Sequence, residues 1–223
     1  MLLGVFMLCF FAACKKDSII APLDMGYAYF PLNLGHTILY EADSVRYSLD
    51  ANDSVHIRKV KFQVQDVIKT TFYDNSNRLT YVFERSKRLN DTAAWEPWKI
   101  CTANLLEDAL HWKEDNYTYV NLAFPIKSQK HWNGNSYNIL GESEFTYTDI
   151  HIPYAYKNIS TDSSLTVIQQ DEVNGLETNW KEEKYAKHMG LIHYEMIHYE
   201  KDLNTGNLTG GFEFRMKAIQ STN

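Results

Sequence analysis

Across residues 55–71 polar and apolar side chains alternate, with Val60, Phe62 and Val64 on one face and Lys59, Lys61, Gln63 and Gln65 on the other. Successive side chains of a strand point to opposite faces, so a period of two predicts a strand with one buried and one wetted side. Residues 36–47 are likewise rich in Ile, Val, Tyr and Thr, and the polar turn Asp50-Ala51-Asn52-Asp53 separates the two runs. Two such runs joined by a short turn read as an antiparallel β-hairpin.

The pattern continues along the chain. Asp74-Asn75-Ser76-Asn77 is a turn before a strand at 79–85, and further strands are expected at 98–102, 117–122, 144–156, 165–170, 178–185, 191–199 and 212–219. Turn chemistry falls at Asn133-Gly134, at Asn174-Gly175 and around Asn204-Thr205-Gly206. Helical signals are confined to 105–110 and 181–187, and the second reads equally well as an exposed strand. Regular spacing of short strands and turns predicts a single all-β domain over residues 27–220, an antiparallel β-sandwich or an open half-barrel with short helical segments at most.

The first 17 residues are of another kind. Residues 1–11 are apolar, Ala12 and Ala13 are small, and Cys14 is followed at once by Lys15, Lys16 and Asp17. The run is far shorter than the roughly 18 residues that span a bilayer, and small residues at its end mark a processing site. Phe11-Ala12-Ala13-Cys14 resembles the lipobox of bacterial lipoproteins. The resemblance implies removal of residues 1–13, palmitate-type acylation of Cys14 as the mature first residue, and a flexible tether over 14–26. No Lys or Arg precedes the apolar run, a departure from the usual signal that points to a start a few codons upstream. Two or three acyl chains, at roughly 0.8 kcal/mol per buried methylene, exceed what stable anchoring needs. Lys15-Lys16-Asp17 also resembles, over three residues, the export tags of surface-displayed Bacteroidota lipoproteins.

The 223 residues less the 13 of the signal leave 210, enough for a substantial core. A 44% hydrophobic share with 15 Tyr rules against a disordered chain, and a formal charge of −6 disfavours nucleic-acid binding. With Cys9 removed and Cys14 acylated, Cys101 alone remains in the domain, so neither an intrachain disulfide nor a Cys-rich metal site is available. Cys101 is expected to be a small buried hydrophobe.

Tyr29-Phe30-Pro31-Leu32-Asn33-Leu34-Gly35-His36 leading into Tyr40, and Tyr185-Ala186-Lys187-His188-Met189-Gly190-Leu191-Ile192 near the end, resemble the opening and closing motifs of uncharacterised small all-β lipoproteins of Bacteroidota. That likeness implies a fold and an envelope location, and no activity. Gly35 and Gly190 are expected to supply turn conformations. Tyr27, Tyr29 and Phe30 are expected to pack, with a binding role as the other reading.

Candidate chemistry is sparse. On a strand, His193 and Glu195 share one face, while Tyr194, Met196 and His198 share the other; the first two are metal-ligand candidates lacking a third partner. No metal site and no cofactor is predicted, and no catalytic residue is assigned. The carboxylate pairs Glu107-Asp108, Glu114-Asp115, Asp171-Glu172 and Glu182-Glu183 are expected to face water. Ser18, Ser44, Ser54 and Thr92 each follow an Asp and resemble Bacteroidota O-glycosylation acceptors. The favoured function is a non-enzymatic lipid-anchored envelope protein, facing the periplasm or the cell exterior. Its domain binds a ligand or partner, with Trp95, Trp98, Trp112 and Trp132 as contact candidates where exposed and as core residues on the other reading. The alternative is an envelope hydrolase using carboxylates or a His/Glu metal site.

Overall fold

The computed structural model describes residues 23–52 and 54–222. Cys14, Ser18, the signal segment 1–13 and most of the tether 14–26 therefore lie outside the described residues. Twelve strands follow one another: β1 (Thr37–Leu49), β2 (Val55–Tyr73), β3 (Leu79–Arg88), β4 (Glu96–Leu105), β5 (Ala109–Glu114), β6 (Tyr117–Ala123), β7 (His131–Asn133), β8 (Glu144–Tyr156), β9 (Ile159–Val173), β10 (Glu177–Ala186), β11 (Gly190–Lys201) and β12 (Leu208–Thr222).

All twelve belong to one antiparallel sheet in which sequence neighbours are hydrogen-bonded, except that β1 pairs with β12 and β6 and β7 form the two ends. Those ends almost meet. The Val120 amide donates to the Gly134 carbonyl at 2.9 Å, Trp132 Nε1–H donates to the Val120 carbonyl at 2.7 Å, and Thr118 bridges to Tyr137. Of the two expected architectures, then, the chain adopts the curved single sheet, a nearly closed barrel. Closure of this kind removes the unpaired edges that an open sheet would expose.

The helical expectation at 105–110 is corrected, and of the two readings of 181–187 the strand is the one observed. Residues 105–110 form the end of β4, a turn closed by the Leu106 amide on the Ala109 carbonyl at 2.8 Å, and the start of β5. Residues 181–186 belong to β10, where Lys181, Glu183 and Tyr185 alternate onto the inner face. Isolated helices this short are marginal in water, whereas sheet neighbours on both sides satisfy every backbone group. Strands β5 and β7 escaped the pattern for simple reasons. Ala109, Leu110 and His111 are all buried and show no alternation, and β7 has only three residues.

One end of the barrel is filled. The 3-10 turn Tyr27–Tyr29 and Phe30 push into it, packing with Ile68, Phe83, Leu110, Leu122, Tyr147 and Leu165. Tyr29 is fully buried, with its hydroxyl against His151 Nδ1 at 2.8 Å and Ser163 Oγ at 2.9 Å. The aromatic trio is thus a plug. It is latched to the β10–β11 turn by the His188 amide on the Ala28 carbonyl at 2.7 Å and by His36 Nε2 against the Met189 carbonyl at 2.9 Å. Gly35 (φ 86°) and Gly190 (φ 90°) take the left-handed conformations expected of them.

Candidate functional site

Above the plug the barrel is hollow. A cavity of about 470 Å³ lies between the inner faces of β1 to β6 and β10 to β12, within the range of roughly 300–1,000 Å³ typical of small-molecule sites. Its floor is Phe30, Phe83 and Tyr185, and its upper wall carries Trp98, Tyr117, Tyr119, Met196 and Phe214. The β5–β6 turn, with the exposed Asp115, borders it at the end opposite the plug.

Bulges decide several of these positions, because one extra residue re-aims a strand's side chains. Arg85 pairs with Lys99 while Ser86 pairs with Pro97, so Trp98 is the extra residue of β4. Proline, which cannot donate to a ladder, is tolerated at such an irregularity. Trp98 turns inward against Phe62 and Phe214 (ring centroids 6.1 and 6.3 Å). Asn121 occupies the matching position in β6, where Leu122 pairs with Leu110 and Val120 with His111.

The cavity wall also carries charge. Arg85 grips Asp66 through both of its fork nitrogens, Nε to Oδ1 and Nη2 to Oδ2, each at 2.7 Å, with both residues buried. Glu114 lies 3.8 Å from Arg85 and accepts from Lys99 Nζ at 2.5 Å and Trp112 Nε1–H at 3.2 Å. Burial would raise the Glu114 carboxyl, but Arg85 and Lys99 outweigh it and hold the group below the usual carboxylate range. Lys99 also bonds Asp115 at 2.6 Å.

Glu183 is the opposite case. It is buried, accepts from the Tyr185 hydroxyl and from Asn121 Nδ2 at 3.3 Å, and no Arg or Lys nitrogen lies within 4.0 Å of it among the described residues. Burial pushes its carboxyl above the ordinary range, more than Lys181 and the hydrogen bonds from Tyr185 and Gln169 pull it down. The expectation that Glu114 and Glu183 face water is therefore overturned, because both alternate onto the inner face of the barrel.

The four tryptophans, read either as exposed contacts or as core, are all half-buried. Trp98 and Trp112 line the cavity, the latter edge-on to Phe83 at 4.9 Å. Trp132 stacks on Tyr147 at 4.5 Å near the seam, and Trp95 lies under the Arg88 guanidinium at 4.5 Å. Cys101 is buried as expected, with its thiol pushed up to about 12 by desolvation. Ser44 lies in mid-strand in β1, while Ser54 and Thr92 are exposed near turns, Thr92 Oγ1 donating to Asn90.

His193 and Glu195 share the outer face of β11, and Glu182 of β10 joins them, the three ligand atoms lying within 4.8 Å of one another. The missing third group is thus present, but on the barrel's outside wall and away from the cavity lining. Protein side chains already serve it: Arg215 donates to Glu195, Lys184 lies 3.8 Å from Glu182, and His193 Nε2 is 3.2 Å from the same carboxylate.

Sequence reasoning missed Asp66, Arg85, Lys99 and Lys181. The available signal was phase: Arg85 stands two residues from Phe83, and Lys181 and Glu183 keep step with Tyr185, so charges recur on a face otherwise apolar. Fold and cavity together define an antiparallel, nearly closed β-barrel with an internal chamber. Neither a protein-family profile nor a curated protein matches the sequence.

Proposed function

We propose that the chain is a lipid-anchored cell-envelope protein that binds, without chemically altering, a small organic molecule inside its barrel. The single observation that carries the binding half is the chamber of about 470 Å³, walled by aromatic and Met side chains with a few fixed polar groups. Ligand sites have this makeup, and Met side chains adapt to varied shapes. Most of the polar groups are matched to one another: Arg85 is neutralised by Asp66, Lys99 by Glu114 and Asp115, and Glu183 is capped by Tyr185. Such closed pairs favour a fixed wall over groups poised for proton transfer.

Support for the anchor comes from the order of residues 1–17, with Cys14 following Ala12-Ala13, and from the likeness of residues 29–40 and 185–192 to small Bacteroidota lipoproteins. Native mass spectrometry of detergent-solubilised protein from its own host tests both halves. The reading expects a chain starting at Cys14 with added acyl mass, and a non-covalent small-molecule mass that is lost on denaturation. A full-length chain without acyl mass overturns the anchor, and turnover of the bound molecule overturns the non-enzymatic reading.

A further inference from the structure

Three cations line the chamber, and they are not equivalent. Arg85 and Lys99 each contact carboxylates within 4.0 Å, whereas Lys181 has no carboxylate that close among the described residues. Its ammonium sits between two tyrosine faces, 5.5 Å from the Tyr119 ring centroid and 5.8 Å from that of Tyr194. Aromatic faces stabilise a cation but do not neutralise it. Glu183, the next acid on the same face of its strand, accepts at Oε2 from Tyr185 and Asn121, and burial raises its carboxyl above the ordinary range. Lys181 is thus the one lining cation with no carboxylate in contact among the described residues, and it stands beside an aromatic wall. The hydroxyl of Tyr119, with no hydrogen-bond partner among the described residues, is a further donor in the same lining.

We infer that the chamber selects an organic anion, a carboxylate or sulfonate on a flat or chain-like apolar body, with the anionic group on Lys181 and the body against Trp98, Met196, Phe214 and Met216. The inference rests on the binding reading above and names its ligand class. An anion here gains a charge-assisted contact in a partly desolvated site, where such contacts are roughly twice as strong as neutral ones. A cationic ligand would meet Lys181 as a like charge, and a neutral one would leave it unmatched.

Two fluorescent probes sharing one aromatic body separate the possibilities: anilinonaphthalene sulfonate, which is anionic, and phenylnaphthylamine, which is neutral. Each is titrated into the folded protein, and energy transfer from tryptophan reports its binding to the domain. The sulfonate is expected to bind at one site about tenfold or more tighter than the amine, a preference of about 1.4 kcal/mol. Lys181→Met is expected to erase that preference while leaving the amine's affinity within about twofold, and Lys181→Arg to restore it. Should Lys181→Met not fold, salt gives the same information on the unaltered protein, because added salt is expected to weaken the sulfonate and leave the amine unchanged. Equal binding of the two probes, insensitive to salt or to Lys181→Met, overturns the anion assignment while the binding reading stands. If neither probe binds, the binding reading falls with it.

Discussion

Removing one member of the Arg85–Asp66 pair should cost far more than removing both, and the two single losses should differ from each other. Each buried partner is held by two 2.7 Å hydrogen bonds, so a single truncation strands a charge that the barrel has largely removed from water. Losses of this kind run to about 3–5 kcal/mol, whereas replacing both ions with apolar groups of similar size is neutral or stabilising by about 1–4 kcal/mol. The surroundings place each variant within that range. In Asp66→Leu, Arg85 keeps Glu114 at 3.8 Å as a second partner, so the loss belongs near about 3 kcal/mol. In Arg85→Met, Asp66 retains no cation among the described residues, and the loss belongs near about 5 kcal/mol. For a domain of this size that is a fall in Tm of roughly 6–12 °C for the first and roughly 10–20 °C for the second. The double variant Asp66→Leu/Arg85→Met should melt close to the parent. Urea unfolding of all four proteins closes the cycle. A double variant no more stable than Arg85→Met, or a loss below about 1 kcal/mol in both singles, would refute the assignment of a desolvated, mutually dependent pair.

Glu183→Gln keeps the shape and hydrogen bonds of the side chain while removing its titration. Because burial raises the folded-state value above the unfolded one, the stability this group contributes is present below the ordinary carboxylate range and is lost as pH rises through the raised value. Melting curves from about pH 5 to about pH 8 should therefore show the parent losing stability relative to Glu183→Gln, and parallel curves would contradict the burial effect. Cys101, buried and with its thiol pushed up to about 12, should resist alkylation in the native protein and react fully in denaturant. Rapid native labelling would place it at the surface. Phe30→Ala should cost about 3–5 kcal/mol by opening the plug against Phe83, Trp112 and Tyr185, as denaturant midpoints would show. A near-neutral effect would mean that the plug packs loosely.

The strands were legible wherever one face is wet. Residues 55–71 and 144–156 announce themselves because Lys, Gln or Thr alternate with apolar residues, and the observed β2 and β8 follow them closely. Legibility failed where that contrast vanished, as at Ala109-Leu110-His111, and where polar residues point inward, as at Lys181 and Glu183. There a surface-like composition conceals a buried face. The chamber itself could not be read, since Trp98, Glu114, Lys181 and Phe214 come from four strands. Their meeting depends on register and on the bulge at Trp98, both set by pairings remote in sequence. His193 and Glu195 were placed on one face correctly, but their companion Glu182 arrives from the neighbouring strand.

The chamber is most directly tested by the indole N–H signals of the five tryptophans in a two-dimensional NMR spectrum during titration with the aromatic sulfonate. Trp98 and Trp112 line the cavity, whereas Trp95, Trp132 and Trp180 do not. The account predicts that the first two signals move together and saturate at one equivalent while the other three hold still. Movement of Trp95, Trp132 or Trp180 with Trp98 and Trp112 unchanged would contradict it.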